Sequence, residues 1–186
     1  MKFTETKLKG AFIIEAKKME DERGYFSRVW CKKEFKEHGL VSDTVQANIS
    51  YNKKKGTLRG MHYQVAPFAE SKTVRCITGA IYDVIIDLRP DSPTYKEWIG
   101  VDLDAGTESD SFTMLYVPQG FAHGFITMKD ETTVHYMVTE YYTPGAEGGI
   151  KFDDPAFNIQ WPMKPTVISD KDRDRPLFES SFSLIK

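Results

Sequence analysis

The sequence predicts an all-β sandwich or barrel. Short runs rich in valine, isoleucine, threonine and tyrosine occupy most of the chain. Gly, Pro, Asn and Asp separate those runs at short intervals. Only one segment reads as a good helix, and no repeat, linker or low-complexity block interrupts the pattern.

In chain order, the first expected strand is GAFIIEAK at 10–17. The helix is KKEFKEHG at 32–39, closed by Gly39 at a C-terminal cap position. Strands follow at TVQANISY (44–51), TLRGMHYQ (57–64) and the long run TVRCITGAIYDVIIDLR (73–89). WIGVDL (98–103), FTMLYVP (112–118), FAHGFITM (121–128) and TTVHYMVTEYY (132–142) complete the set. The segment 152–186 is rich in Asp and Pro and is expected to wrap the barrel as loops and a short helix. One domain over residues 1–186 accounts for the length.

Composition narrows the function. The 186 residues are 40% hydrophobic and 28% charged, enough for a core without metal or disulfide staples. The net charge of −2 argues against a general nucleic-acid binder. Two cysteines, Cys31 and Cys76, are not a disulfide framework, and both are expected to be reduced. The first 18 residues are too charged for a signal peptide, and no apolar run approaches a membrane span. The expectation is a soluble cytoplasmic protein.

Strand alternation sorts the polar groups. Val134, Tyr136 and Val138 share one face, and His135, Met137 and Thr139 the other. Lys72, Val74 and Cys76 share a face. Arg59 and His62 are three apart, so strict alternation opposes them unless Gly60 hosts a bulge that re-aims one. Of four histidines, His38 reads as a solvated residue at a helix end, and His135 as structural or exposed.

His62 and His123 sit in motif-like settings. His62 follows Gly56 by six, with Gln64 and then Glu70 beyond, and His123 follows Pro118 by five. These spacings resemble the two signature motifs of cupins, which are small β-barrels or jelly rolls. Metal-binding cupins carry His-x-His and a later Glu in the first motif. Here Gln64 replaces the second histidine, and an amide is a poor transition-metal ligand, so the expectation is no metal. A neutral imidazole at 62 suits a general base near neutral pH. Lys72 and Arg59 supply charge for an oxyanion, Tyr136 a proton, and Asp172 an orienting carboxylate. Taken singly, Lys72 reads better as a surface charge, Tyr136 as core, and Asp172 as part of the solvated run KDRDR.

From about residue 3 to residue 178 the chain resembles the dTDP-4-dehydrorhamnose 3,5-epimerase family. The resemblance rests on DERGYF (21–26), QANIS (46–50), GTLRGMHYQ (56–64), SKTVRC (71–76) and YDVIIDLRPDSPTY (82–95). YVPQGFAHGF (116–125), YYTPGAEGGIKFDDPAFNIQW (141–161) and ISDKDRDRP (168–176) continue it. It implies a cupin jelly roll that forms a homodimer by exchanging N-terminal strands. It implies an isomerase without cofactor or metal, acting on a nucleoside-diphosphate 4-keto-6-deoxyhexose, most simply the dTDP-linked one. The family's base falls on His62, its orienting carboxylate on Asp172, its enolate-stabilising lysine on Lys72 and its acid on Tyr136. Substrate contacts fall on Arg23, Gln46, Asn48, Arg59, His123, Glu147 and Lys171, with Asp83 on the pocket floor.

Three positions depart from the family pattern: Arg28 stands where an acidic residue is frequent, Ala47 where aspartate is usual, and Glu70 where glutamine is common. The nucleotide carrier is therefore open. The short loop GTESDS (106–111) resembles an insertion. The same catalytic set would serve an epimerase inverting only C3 or only C5. A metal-dependent cupin enzyme and a non-catalytic sugar-binding cupin are the readings from other classes. The latter has no use for a base opposed to an acid.

Overall fold

A computed structural model describes residues 1–106 and 109–178. Thr107 and Glu108 of the expected insertion lie outside the described residues, as do 179–186 of the tail. The described chain runs β1 (Lys2–Glu5), β2 (Phe12–Lys17), β3 (Met19–Asp21), β4 (Gly24–Phe26), α1 (Lys32–Glu37), β5 (Gln46–Asn52) and β6 (Thr57–Gln64). It continues with β7 (Lys72–Thr78), β8 (Ala80–Asp87), β9 (Trp98–Asp104), β10 (Ser111–Val117), β11 (Phe121–Thr127) and β12 (Thr132–Val138). β13 (Glu147–Gly149), β14 (Val167–Ile168) and α2 (Asp170–Arg173) close it.

Every strand expected from the sequence forms, with one division. The run 73–89 is two strands, broken at Gly79, whose φ of 77° turns the chain between β7 and β8. The weak N-terminal and tail strands β1, β3, β4, β13 and β14 lack an alternating apolar pattern to announce them. Helix α1 ends at a His38 cap, with Gly39 following at a φ of 71°.

The strands build two facing antiparallel sheets, ordered β1-β2-β10-β7-β12-β5 and β13-β6-β11-β8-β9. β14 adds to β6 in parallel. Inner-face residues Val74, Cys76, Leu115 and Val134 of the first sheet pack on Ile81, Ile85, Leu103, Phe121 and Phe125 of the second. This is the sandwich arrangement in which alternate residues fill a shared core. Phe35 of α1 packs with Ile14 and Met114 on the outer face of the first sheet. Phe157, Phe178 and Trp161 from the C-terminal segment cover the outer face of the second, against Met61, Val84 and Ile86.

Both cysteines are free. Burial, with the nearby charges of Asp104 and Asp83, pushes the Cys76 thiol up to about 12, so it behaves as a small apolar residue. Exchange of N-terminal strands is a property of two chains. In this one β1 and β2 pair in cis, β2 on β10. The strands that stand off are β3 and β4, which pair only with each other and expose Met19, Tyr25 and Phe26.

Candidate active site

At one end of the sandwich the inner faces change from apolar to polar. Strand β6 supplies His62 and Arg59 there, β11 His123, β7 Lys72, β12 Tyr136, and β5 Gln46 and Asn48. Two cavities of about 350 Å³ each share His62, Lys72 and Tyr136 as walls. That size lies within the range of small-ligand pockets, roughly 300–1,000 Å³. His62 and Tyr136 reach this space from opposite sheets.

The convergence of Arg59 and His62 depends on a bulge. On β11, His123 pairs with His62 and Phe125 with Arg59, so two steps on one strand face three on the other. The extra residue lies at Gly60–Met61, where Gly60 has a φ of 131°. A Cβ at Gly60 would fall 2.5 Å from the Cα of Gly124, so only glycine permits this approach of the two backbones. Arg59 is then fixed by its Nε, which donates to Asn52 Oδ1 at 2.8 Å.

His62 Nε2 lies 2.6 Å from Asp172 Oδ1. Asp172 is buried on α2, whose N-terminal cap Ser169 accepts from the Asp172 backbone N–H at 3.1 Å. Burial by itself raises the Asp172 carboxyl. The hydrogen bond and charge of His62, with Gly60 N–H and Ser169, outweigh that and hold it below its ordinary value. The neighbouring His123 makes a parallel contact, Nε2 to Asp83 Oδ1 at 2.7 Å.

Lys72 Nζ is 3.1 Å from Glu70 Oε1. The Tyr136 phenol is raised by burial and by the Glu70 charge, against a smaller opposing pull from Arg59. At the rim, Glu147 is held by Lys171 at 2.7 Å, by Arg175, and by the Tyr142 hydroxyl at 3.3 Å. Burial raises the Glu147 carboxyl, but Lys171 and Arg175 bring it below its ordinary value.

Of the residues expected at the site, His62, Lys72, Tyr136, Arg59, His123, Gln46, Asn48 and Glu147 line the two cavities. Asp172 stands behind His62. Three placements differ from expectation. Asp83 is not on the floor but fully buried beneath His123, because its position on β8 points into the core between the sheets. Lys171 is drawn to the rim by Glu147. Arg23 lines neither cavity; it is exposed on the β3–β4 hairpin and pairs with Asp21 at 2.5 Å. Of the departures from the family pattern, Ala47 lies on the outer face of β5 and Arg28 pairs with Glu34 at 3.3 Å, so neither wall position changes. Glu70 does line the cavity.

Sequence reading missed Ser50, Asn52 and Tyr142. A signal for the first two exists in QANISYN, where Gln46, Asn48, Ser50 and Asn52 recur every second residue on one face. Gln64, at the second-histidine place of a cupin motif, spends its amide on the chain. Its Nε2 donates to the carbonyls of Phe68 and Tyr141 at 3.1 and 3.2 Å, and its Oε1 accepts from Thr143 N–H at 2.8 Å. Among the described residues, no three of His, Cys, Asp and Glu converge as a metal-binding group.

A family model described as dTDP-4-dehydrorhamnose 3,5-epimerase matches residues 5–180. A relative of that name from Sinorhizobium fredii is 43% identical over 165 residues, 88% of this chain and 83% of the relative. One from Methanothermobacter thermautotrophicus is 43% identical over 183 residues, 96% of each chain. Among solved structures, the enzyme of that name from Bacillus anthracis, with TDP and PPi bound, superposes with a TM-score of 0.89 at 42% identity, covering 95% of this chain and 99% of the other. A Legionella pneumophila relative in complex with dTDP-4-keto-L-rhamnose gives 0.88 at 35% identity over 96% and 93%. With its jelly-roll sheets and the family-model match over nearly its whole length, the chain belongs to the dTDP-4-dehydrorhamnose 3,5-epimerase family.

Proposed function

We propose that this chain is an isomerase that inverts C3 and C5 of dTDP-4-dehydro-6-deoxy-D-glucose, giving dTDP-4-dehydro-L-rhamnose. The observation that carries the reading is the placement of His62 and Tyr136 on opposite sheets across one cavity. Inversion needs a proton taken from one face of carbon and returned to the other, and a base opposed to an acid does that.

The C4 ketone acidifies the hydrogens at C3 and C5. The Asp172 carboxylate accepts from His62 Nε2–H, which leaves Nδ1 as the proton acceptor. As His62 takes the proton, charge moves onto the C4 oxygen. Lys72, with Arg59 on the same cavity wall, stabilises that enolate. Tyr136 then protonates the carbon from the opposite face. Gln46, Asn48, His123 and Glu147 line the remaining walls and hold the sugar and its nucleotide. The TDP and dTDP-sugar bound to the solved relatives support a dTDP carrier.

The expected homodimer supports a use for Arg23, since an exposed hairpin carrying an arginine and three large apolar side chains suits insertion against a second copy. We assign residues 1–186 to one catalytic unit working in the cytoplasm. Among the described residues no helix is long and apolar enough to cross a membrane.

The test is a product assay with dTDP-4-keto-6-deoxyglucose in deuterated water, with and without a 4-ketoreductase. Deuterium at both C3 and C5, and dTDP-L-rhamnose after reduction, are expected. Deuterium and inversion at one carbon alone would replace the reading with a mono-epimerase, and an unchanged substrate would end it.

A further inference from the structure

Glu70 and Lys72 meet where their side chains are only 12% and 11% exposed. Both line the cavity that His62 and Tyr136 line. The reaction above uses Lys72 and leaves Glu70 without a task. A carboxylate beside the ammonium that stabilises an oxyanion offsets part of that positive charge, and most strongly where water is scarce. Its presence therefore opposes the enolate step unless it serves another.

We infer that Glu70 is a positioning residue that fixes the Lys72 ammonium at the cavity wall and keeps the Tyr136 phenol protonated until the carbanion forms. This rests on the epimerase reading. A lysine side chain has a flexible four-carbon stem, so a buried partner at 3.1 Å removes most of its freedom before substrate arrives. The phenol is exposed to a different problem. Two cations, Arg59 on β6 and Lys72 on β7, share cavity walls with Tyr136, as do the imidazoles of His62 on β6 and His123 on β11. Cations there favour early loss of the phenolic proton, and a tyrosinate has no proton to give.

Two anions oppose them, Glu147 and Glu70. Glu147 is paired with two cations, Lys171 and Arg175, and Glu70 with one, Lys72. Tyr63 and Tyr142 close the rest of that cavity and Tyr51 the other, while His135, next to Tyr136 on β12, alternates to the outer face. Glu70 is thus the carboxylate that acts on the phenol, and its charge contributes to the upward shift that burial begins.

The test is Glu70→Gln, which keeps the shape and removes the charge. Tyrosine labelled with ¹³C at the ring Cζ is titrated by NMR, with the Tyr136 signal assigned from its loss in Tyr136→Phe. In Glu70→Gln the phenol is expected to titrate at lower pH than in the native chain. The alkaline limb of kcat should move to lower pH with it. At high pH kcat should fall on the order of tenfold while KM stays within about twofold. Glu70→Asp should restore the limb. A phenol that titrates at the same pH with and without the Glu70 charge overturns the inference, as does one that moves while the limb stays. The ring titration needs no substrate, so an inactive native chain would sink the epimerase reading and leave the coupling of Glu70 to Tyr136 decided on its own.

Discussion

His62 Nε2 stands 2.6 Å from Asp172 Oδ1, a contact between residues 110 positions apart. The chain arranges it by pairing β14 in parallel with β6, Val167 against Thr57 and Ile168 against Leu58. That seats the start of α2 beside the histidine. Asp172→Asn keeps the shape but no longer favours the Nε2–H form of the ring. Turnover should fall on the order of 10²-fold with little change in substrate affinity. Initial rates over a range of substrate concentrations decide it, and an unaltered kcat would remove Asp172 from the machinery.

The same carboxylate carries a pH signature. Burial raises it, but the His62 contact and two backbone or cap donors make the net shift downward. A lowered folded value means the stabilisation is present above the unfolded carboxylate pKa, about 3.9, and is lost as pH falls through the folded value. The stability gap between the native chain and Asp172→Asn should therefore be full at neutral pH and shrink below about pH 4. Urea unfolding at both ends of that window measures it. A gap of constant size would show that the charge of Asp172 contributes nothing.

Tyr136 and His62 should separate by isotope exchange. His62→Ala is expected to lose both inversion and solvent-deuterium uptake, with a rate loss on the order of 10²–10⁴. Tyr136→Phe should lose inversion by a similar factor yet retain uptake at one carbon, where water returns the deuteron to the face it left. NMR of the sugar after incubation reads both. Undiminished uptake in His62→Ala would refute the base assignment.

Asp83 is fully buried under His123, with its Oδ1 on the ring Nε2 at 2.7 Å. Asp83→Ala strands that nitrogen and opens a void in the core, and should destabilise the fold by about 2 kcal/mol. Because His123 lines the cavity, KM should rise as well. Thermal unfolding combined with KM separates a site effect from a purely structural one: lower stability at unchanged KM would mean that His123 does not touch substrate.

Much of this was legible in the sequence because strand alternation is a strong signal. β7 and β12 place Lys72 and Tyr136 inward together with the core residues Val74 and Val134, as a period of two requires. The bulge at Gly60 was legible as the one way for Arg59 and His62 to agree. What alternation cannot give is contact across long separations. Asp172 sits in a run of charges that reads as solvated, and only the β14–β6 pairing tells it from Asp170 and Asp174. The family resemblance puts Asp83 at the cavity floor, and on β8 it does face inward, but fully buried. Its depth depends on how far His123 covers it, which no local pattern records. Arg23 is placed by no local pattern either: a hairpin that pairs only with itself has no fixed neighbour in a single chain.

The bulge itself can be tested. Gly60 has a φ of 131°, and a Cβ there would sit 2.5 Å from Gly124 Cα and 3.0 Å from the His123 carbonyl. Both neighbours are backbone, so neither yields by rotating a side chain. Gly145 also has a positive φ, 88°, but no heavy atom lies within 4 Å of its Cβ position. Gly145→Ala therefore measures conformational strain alone, about 1 kcal/mol. Gly60→Ala adds the clash, for a loss on the order of 3 kcal/mol or more, which in a chain of this size lowers Tm by roughly 6–12 °C. Activity should fall further than stability accounts for. Relief of the clash moves β6 against β11, and a shift of register there turns Arg59 or His62 away from the cavity. Equal losses of Tm in the two variants would mean that the close approach of Gly60 and Gly124 does not hold the bulge.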